Sequence, residues 1–300
     1  MTKVLNFGSL NLDYVYQVDH FVRAGETISS TERECFLGGK GLNQSIALAR
    51  AGACVYHAGA VGSDGGALIR VLKENNIDTT FVEMLDGPSG HAIIQREPEG
   101  QNCIFLFSGT NRKITEEHIE KAIAKFSAGD YLILQNEINS VDVIMQKAKA
   151  KGMKIVLNPS PMDAKILALP LELVDVFILN EVEAEALCKV SEPTVMMKTF
   201  GEKFPHADVV LTLGEKGVWY HSAKNQELLT MGIYKVAVAD TTAAGDTFTG
   251  FFISGIAMGK SVAEALETAA KAAALAVSKK GAEASIPTIH EVQTAALISG

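Results

Sequence analysis

No CxxC pair and no HExxH occur in this 300-residue sequence, and its four cysteines, Cys35, Cys54, Cys103 and Cys188, are far apart. That spacing argues against a structural zinc site or a disulfide framework, and it fits a reducing, cytoplasmic setting. No apolar run reaches the ~18 residues of a membrane span. The N-terminal MTKVLNFGSLNLD lacks the long apolar core and cleavage-like end of a signal peptide. Basic blocks are also missing. Lys and Arg total 27 against 35 Asp and Glu, for a net charge of −8. Neither nucleic acid nor an anionic membrane is an expected partner of such a field, although a local phosphate site remains open.

Two familiar nucleotide motifs are missing as well. GAVGSDGG (Gly59–Gly66) has GxxGxxG spacing where a dinucleotide loop needs GxGxxG, and no acid ends the following strand. Its glycines read as turn glycines. GIAMGKS (Gly255–Ser261) has three residues between its glycines where a P-loop needs four, and no strand precedes it. It reads as a helix end followed by a Ser261 N-cap.

What is present is a core-forming composition, 47% hydrophobic, arranged as alternating short strands and amphipathic helices. Strands are predicted at Val4–Phe7, Val55–Ala60, Tyr131–Leu134, Ile155–Leu157, Val176–Leu179 and Val209–Leu213. Helices are predicted at Glu116–Phe126, Val141–Lys151, Glu183–Cys188 and Ser261–Val277. This order predicts an α/β fold, a doubly wound and mostly parallel sheet flanked by helices, with ligands beyond the C-terminal strand ends. Two segments break the pattern. Tyr14–Val18 with Glu26–Phe36, and His91–Gln95 with Gln101–Phe107 around a hairpin turn, predict a small β-sheet beside the main body. It would serve as a lid, a dimer surface, both, or neither.

Polar motifs fall just past the predicted strand ends. In GSLNLD, Asn11 and Asp13 point the same way if extended, and an amide beside a carboxylate suits a hydroxyl-rich molecule. An Asx-type loop is the plainer alternative. GGKGLNQ (Gly38–Gln44) opens a helix whose first N–H groups would meet an oxygen-rich ligand, with Asn43 close by. Otherwise it is a tight turn with Lys40 in solvent. Asn180 and Glu183 in NEVEAE share a helical face and would orient a hydrated Mg²⁺, or Asn180 simply caps the helix. TLGEKG (Thr212–Gly217) is a hairpin turn or a pocket wall.

DTTAAGDTFTG (Asp240–Gly250) is the most informative stretch. Ala243, Ala244 and Gly245 expose backbone N–H groups at a helix start, and Asp246 follows directly. An anion-accepting backbone beside a base is the pairing that phosphoryl transfer needs. An N-capping acid among small residues is the alternative.

In this order, DTTAAGDTFTG, GGKGLNQ, NEVEAE and TLGEKGVW resemble the ribokinase branch of the PfkB carbohydrate kinases. The likeness runs from GSLNLD to KKGAEASIP (Lys279–Pro287). It implies one ribokinase-like domain over residues 1–300, with a lid from about 14–36 and 91–107, often shared across a homodimer. It implies ATP- and Mg²⁺-dependent phosphorylation of a sugar CH₂OH, ribose first. Another sugar such as 2-deoxyribose or fructose, or a nucleoside, is the alternative; Tyr14, Tyr16 and Phe36 leave the nucleoside open. Asp246 would be the base, with Ala243, Ala244 and Gly245 as the anion hole. Asn11, Asp13, Gly39, Lys40, Gly41, Asn43 and Glu137 match sugar-binding positions. Asn180, Thr212, Gly214 and Gly217 match nucleotide-binding positions, and Glu183 matches the acid that organises Mg²⁺ through water. Asp240, Thr242, Ala276, Lys279, Gly281 and Ser285 match the positions that hold an activating K⁺. Lys279 stands where the family often has Arg, and Lys271 departs from the pattern in the helix that lines the adenine pocket of relatives. A catalytically silent sugar binder on the same fold is a further alternative, opposed by the intact Asp246.

Overall fold

A computed structural model describes residues 2–300. In chain order its strands and helices are β1 (Lys3–Phe7), β2 (Asn11–Gln17), β3 (Glu32–Gly38), α1 (Lys40–Arg50), β4 (Cys54–Val61), α2 (Gly66–Glu74), β5 (Asp78–Met84), β6 (Gly90–Arg96) and β7 (Asn102–Phe107). Then come α3 (Glu116–Ile123), β8 (Tyr131–Leu134), α4 (Val141–Ala150), β9 (Lys154–Leu157), β10 (Val176–Asn180), α5 (Glu181–Cys188), α6 (Pro193–Lys203) and β11 (Asp208–Thr212). The chain closes with β12 (Val218–His221), β13 (Leu228–Met231), β14 (Tyr234–Lys235), α7 (Ala244–Ala257), α8 (Val262–Val277), α9 (Ile289–Thr294) and β15 (Ile298–Ser299).

Nine strands form the main sheet, in the order β13-β12-β11-β10-β9-β8-β1-β4-β5. β11 through β5 run parallel, and β12 and β13 are antiparallel at one edge. Both faces are buried. Leu5, Ile155, Phe177 and Leu211 of the sheet point into a core with Phe126, just past α3, and Phe200 of α6. Val4, Val156 and Val210 point the other way, against Ile46, Phe251 and Leu266 of α1, α7 and α8. A parallel strand buried on both sides reads as an unbroken apolar run, which is why these strands are visible in the sequence. After β1 the chain winds to β4 and β5 on one side, and later to β8–β11 on the other. The ends of β1 and β8 therefore flank the switch point, the crevice where doubly wound sheets bind ligands.

The second sheet has the order β3-β2-β6-β7, with β2 parallel to β6 and the outer pairs antiparallel. It corresponds to the predicted small sheet with shifted bounds. β2 begins at Asn11, so Asn11 and Asp13 lie in a strand and not in an Asx loop. Residues 26–31 are not strand. There Glu26 closes a local turn, its carboxylate accepting from the Arg23 N–H at 3.0 Å and pairing with His20 at 2.9 Å. GIAMGKS is a helix end, and Ser261 and Glu264 form a reciprocal cap at the start of α8. No helix among the described residues is long and apolar enough to cross a membrane.

Candidate active site

The start of α1 is pressed onto the loop after β1. Leu42 N–H donates to Ser9 O at 3.0 Å, and Gly41 N–H to Ser9 Oγ at 3.2 Å. A Cβ on Gly41 would lie 2.4 Å from Ser9 N, 2.5 Å from Gly8 C and 2.6 Å from Ser9 O, all backbone atoms that cannot step aside. Gly39 caps α1 at φ 91°, in the left-handed region that a larger residue resists. Gly41→Ala is therefore expected to lose about 1–3 kcal/mol of stability, read as a lower denaturation midpoint in urea.

This loop gathers the predicted sugar residues. Glu137, just past β8, accepts from Ser9 Oγ and from the Lys40 N–H at 2.9 Å. Asn11 and Asp13 share one face of β2. Asn111, just past β7, donates its amide to Asn11 Oδ1 at 2.7 Å and accepts from Leu10 N at 3.0 Å. With its oxygen engaged, Asn11 presents N–H donors to a ligand, beside the acceptor oxygens of Asp13. Burial, reinforced by Glu137, pushes the Asp13 carboxyl up to about 7. Tyr14 and Tyr16 lie on the opposite face of β2, with the Arg33 guanidinium 4.7 Å from the Tyr14 ring centroid. Only Phe36, paired with Asp13 in the register, shares the face of Asn11 and Asp13 among these three aromatics.

At the other end of the crevice, Ala243 adopts a left-handed conformation, φ 61°, and turns the chain into α7. A Cβ on Gly245 would meet nothing within 4 Å, so the space before the helix is open. Asp246 is buried at 6% exposure, with Oδ2 accepting from Asn43 Nδ2 at 3.0 Å and Oδ1 from Gln44 Nε2 at 2.9 Å. Asn43 Oδ1 is buried without a protein partner, an acceptor in want of a hydroxyl. A cavity of about 210 Å³ runs from here, lined by Lys40, Asn180, Glu183, Thr212, Gly245 and Asp246 among others. Lys40 is thus not out in solvent. Burial opposes its charge, but Asp246, Glu137 and Glu183 outweigh that and raise its ammonium above the usual value.

Asn180 and Glu183 form a reciprocal cap of α5, Glu183 N–H to Asn180 Oδ1 at 2.9 Å and Asn180 N–H to Glu183 Oε2 at 3.0 Å. The capping role is real, and both residues still line the cavity. Glu183 Oε1 is left over, an oxygen donor of the kind a hydrated Mg²⁺ accepts. Among the described residues no cluster of three or more His, Cys, Asp or Glu could hold a metal alone. Gly214 and Gly217 shape the turn between β11 and β12, and of that turn Thr212 is the residue lining the cavity.

The candidate cation loops are also brought together. Asp240 accepts from Thr242 N at 2.9 Å and from Gly281 N at 3.1 Å, linking the approach to α7 with the end of α8. Lys279 points its side chain at Glu291, 2.9 Å away, leaving only its backbone carbonyl for a cation. Ser285 Oγ donates to Ala282 O. Lys271 pairs with Glu267 at 2.8 Å and lies 5.5 Å from the Tyr234 ring centroid. Gln44 and Asn111 are additions that sequence reasoning missed. The one hint was the Gln that closes GGKGLNQ.

An acid at a helix start, set in the switch-point crevice of a doubly wound sheet and roofed by a small second sheet, defines a sugar-kinase class of α/β protein. The family model described as pfkB family carbohydrate kinase matches residues 1–289, and the chain belongs to that family. The chain is 37% identical to a ribokinase of Haemophilus influenzae and 36% identical to one of Staphylococcus aureus. The first alignment covers 97% of both chains, the second 97% of this chain and 98% of the relative. In structure it is similar to a Cryptococcus neoformans ribokinase in complex with ADP (TM-score 0.88, 30% identity, 98% of this chain and 99% of that one). It is also similar to an Arabidopsis thaliana ribokinase complexed with ribose and ATP (TM-score 0.84, 28% identity, 97% of each).

Proposed function

We propose that this carbohydrate kinase transfers the γ-phosphoryl group of ATP to the primary hydroxyl of D-ribose, giving ribose 5-phosphate and ADP. The observation that carries it is Asp246, buried and held by two amides, at a helix start with open space before it and the Lys40 ammonium nearby. Asp246 takes the proton of the sugar hydroxyl as its oxygen bonds to the γ-phosphorus and the bond to the β–γ bridging oxygen breaks. The N–H groups of the Ala243–Gly245 turn and Lys40 balance the charge that moves. Asn11, Asp13, Asn43 and Glu137, with the Gly39–Gly41 backbone, hold the hydroxyls. Asn180 and the Thr212–Gly217 turn hold the nucleotide. Mg²⁺, bound by ATP and through water by Glu183, would offset phosphate charge. K⁺ on the Asp240–Thr242 and Ala276–Ser285 loops would steady the α7 turn.

The relatives' names support ribose, and the outward placement of Tyr14 and Tyr16 supports a sugar over a nucleoside. The family match over residues 1–289 supports one ribokinase-like unit carrying its lid. A homodimer through the lid is supported by β7, where Ile104, Phe105, Leu106 and Phe107 are all exposed. The direct test is ADP release from ATP–Mg²⁺ across pentoses, hexoses and nucleosides, with and without K⁺. Turnover is expected with ribose and is expected to rise with K⁺. Turnover confined to a nucleoside would overturn the substrate assignment, and none with any acceptor would overturn the kinase.

A further inference from the structure

Asp246 is the end of a buried hydrogen-bond chain that crosses the protein. Gln44 Nε2 donates to Asp246 Oδ1 at 2.9 Å and to Asn158 Oδ1 at 3.0 Å. Gln44 Oε1 accepts from Gln135 Nε2 at 2.7 Å, and the same nitrogen donates to Asn6 Oδ1 at 3.0 Å. Asn6 Nδ2 donates to Gly41 O at 2.8 Å and to Ser45 Oγ at 2.9 Å. Ser45 Oγ lies 2.8 Å from His57 Nδ1. Asn6, Gln44, Ser45 and His57 are fully buried, and Gln135 is 1% exposed.

The acceptor-only groups at the two ends of this chain fix the amide directions, the Gly41 carbonyl for Asn6 and the Asp246 carboxylate for Gln44. Both Asn6 amide hydrogens are committed, to Gly41 O and to Ser45 Oγ. Burial holds the His57 imidazole behind Ser45 neutral, pushing its titration down to about 3. Asn6 then offers its oxygen to Gln135, whose two hydrogens go to Asn6 and Gln44 while its own Oε1 has no partner. Gln44 is left with only its NH₂ to aim at Asp246. Asn43, the other partner of Asp246, has a free Oδ1 and no such lock.

We infer that Gln44 is a positioning residue for the phosphoryl-transfer base, with its amide orientation dictated by Gln135 and the chain behind it. This rests on the assignment of Asp246 as the base. The chain does not relay protons, because its members are amides, a hydroxyl and a neutral ring. It aims one N–H at one carboxylate oxygen, leaving the other between Asn43 and the incoming hydroxyl. The charged groups around the base are Lys40 and, through it, Glu137 and Glu183.

Gln44→Glu keeps the shape and puts a second carboxylate against Asp246. Two acids at that distance share a proton, so the acid limb of the kcat–pH profile is expected to move up by about one unit or more, while the sugar KM changes less than about threefold. Gln135→Met does not touch Asp246. It removes the donor that holds the Gln44 oxygen, so the Gln44 amide is no longer fixed, and kcat is expected to fall severalfold with the sugar KM little changed. Gln44→Met, which keeps volume but removes the donor, is expected to lower kcat about tenfold with sugar binding intact; it stands in should the Glu variant not fold. An unchanged kcat in folded Gln135→Met, or in Gln44→Met, would overturn the inference. Asp246→Asn in the same assay separates the two claims. If it stays active, the base assignment fails. If it is inactive while the profiles stay put, only the positioning role fails.

Discussion

Asp246→Asn is expected to lower kcat by about 10²–10⁴-fold, the usual contribution of a positioned base, with the sugar KM shifting less than about threefold. The substitution is nearly isosteric, and its surroundings tell how it would settle. Gln44 cannot turn its amide, because Gln135 holds its oxygen at 2.7 Å. Asn43 can, because its Oδ1 has no partner. The introduced amide would therefore keep its oxygen on Gln44 and give its NH₂ to a reversed Asn43. The fold and the sugar pocket survive, and proton removal is lost. Steady-state kinetics beside a direct sugar titration checks both halves. A variant with near-normal kcat would remove Asp246 from the chemistry, and one that lost sugar binding as well would place it among the binding groups.

Asp13→Asn is expected to weaken sugar binding about 10–100-fold, the cost of losing a charged acceptor for hydroxyls, while making the free protein more stable at pH 8. The sign follows from the carboxyl being pushed up to about 7 from its ordinary 3.8. The folded state holds this proton more tightly than the unfolded chain. Its stabilising share is complete below pH 3.8 and is lost as pH rises through 7. Above that, the wild type carries a half-buried anion next to Glu137, which the amide removes, for a gain of about 1–2 kcal/mol. Thermal denaturation at pH 4 and pH 8 should show the variant ahead only at the higher pH. An equal Tm at pH 8 would mean that Asp13 is solvated, and an unchanged sugar KM would mean that it does not touch the substrate.

Much of the fold was legible because buried parallel strands announce themselves. Tyr131–Leu134 and Ile155–Leu157 are unbroken apolar runs bounded by turns, and both faces of each are covered. β5 leaves no such signal, since DTTFVEM mixes polar and apolar residues and buries only Phe81. β12 and β13 carry little pattern in the sequence because each is only four residues long. In the site, glycine-bearing motifs gave Gly39, Gly41, Gly245 and Asp246, since close backbone approach leaves a mark in the letters. Gln44 and Asn111 left no such mark. Their roles depend on which way an amide points, and that is set by partners 91 and 100 residues away, Gln135 for Gln44 and Asn11 for Asn111. The two tyrosines were ambiguous for a related reason. Only the strand register assigns them to the face away from Asp13.

Helix α7 meets α1 at Gly250, where a Cβ would fall 2.4 Å from Ala47 Cβ and 2.7 Å from Leu48 N. The two helices that carry Asp246 and the Lys40–Asn43 turn thus touch backbone to backbone, and they behave as one machined part. In the proposed function acceptor recognition is divided differently, with Asn11 and Asp13 on the second sheet and Asn43 and Glu137 on the main body. A substitution on β2 would then change acceptor contacts and leave the α1–α7 seam as it is. A change at Gly250 would disturb every acceptor alike, because it would move Asp246 relative to the Lys40–Asn43 turn.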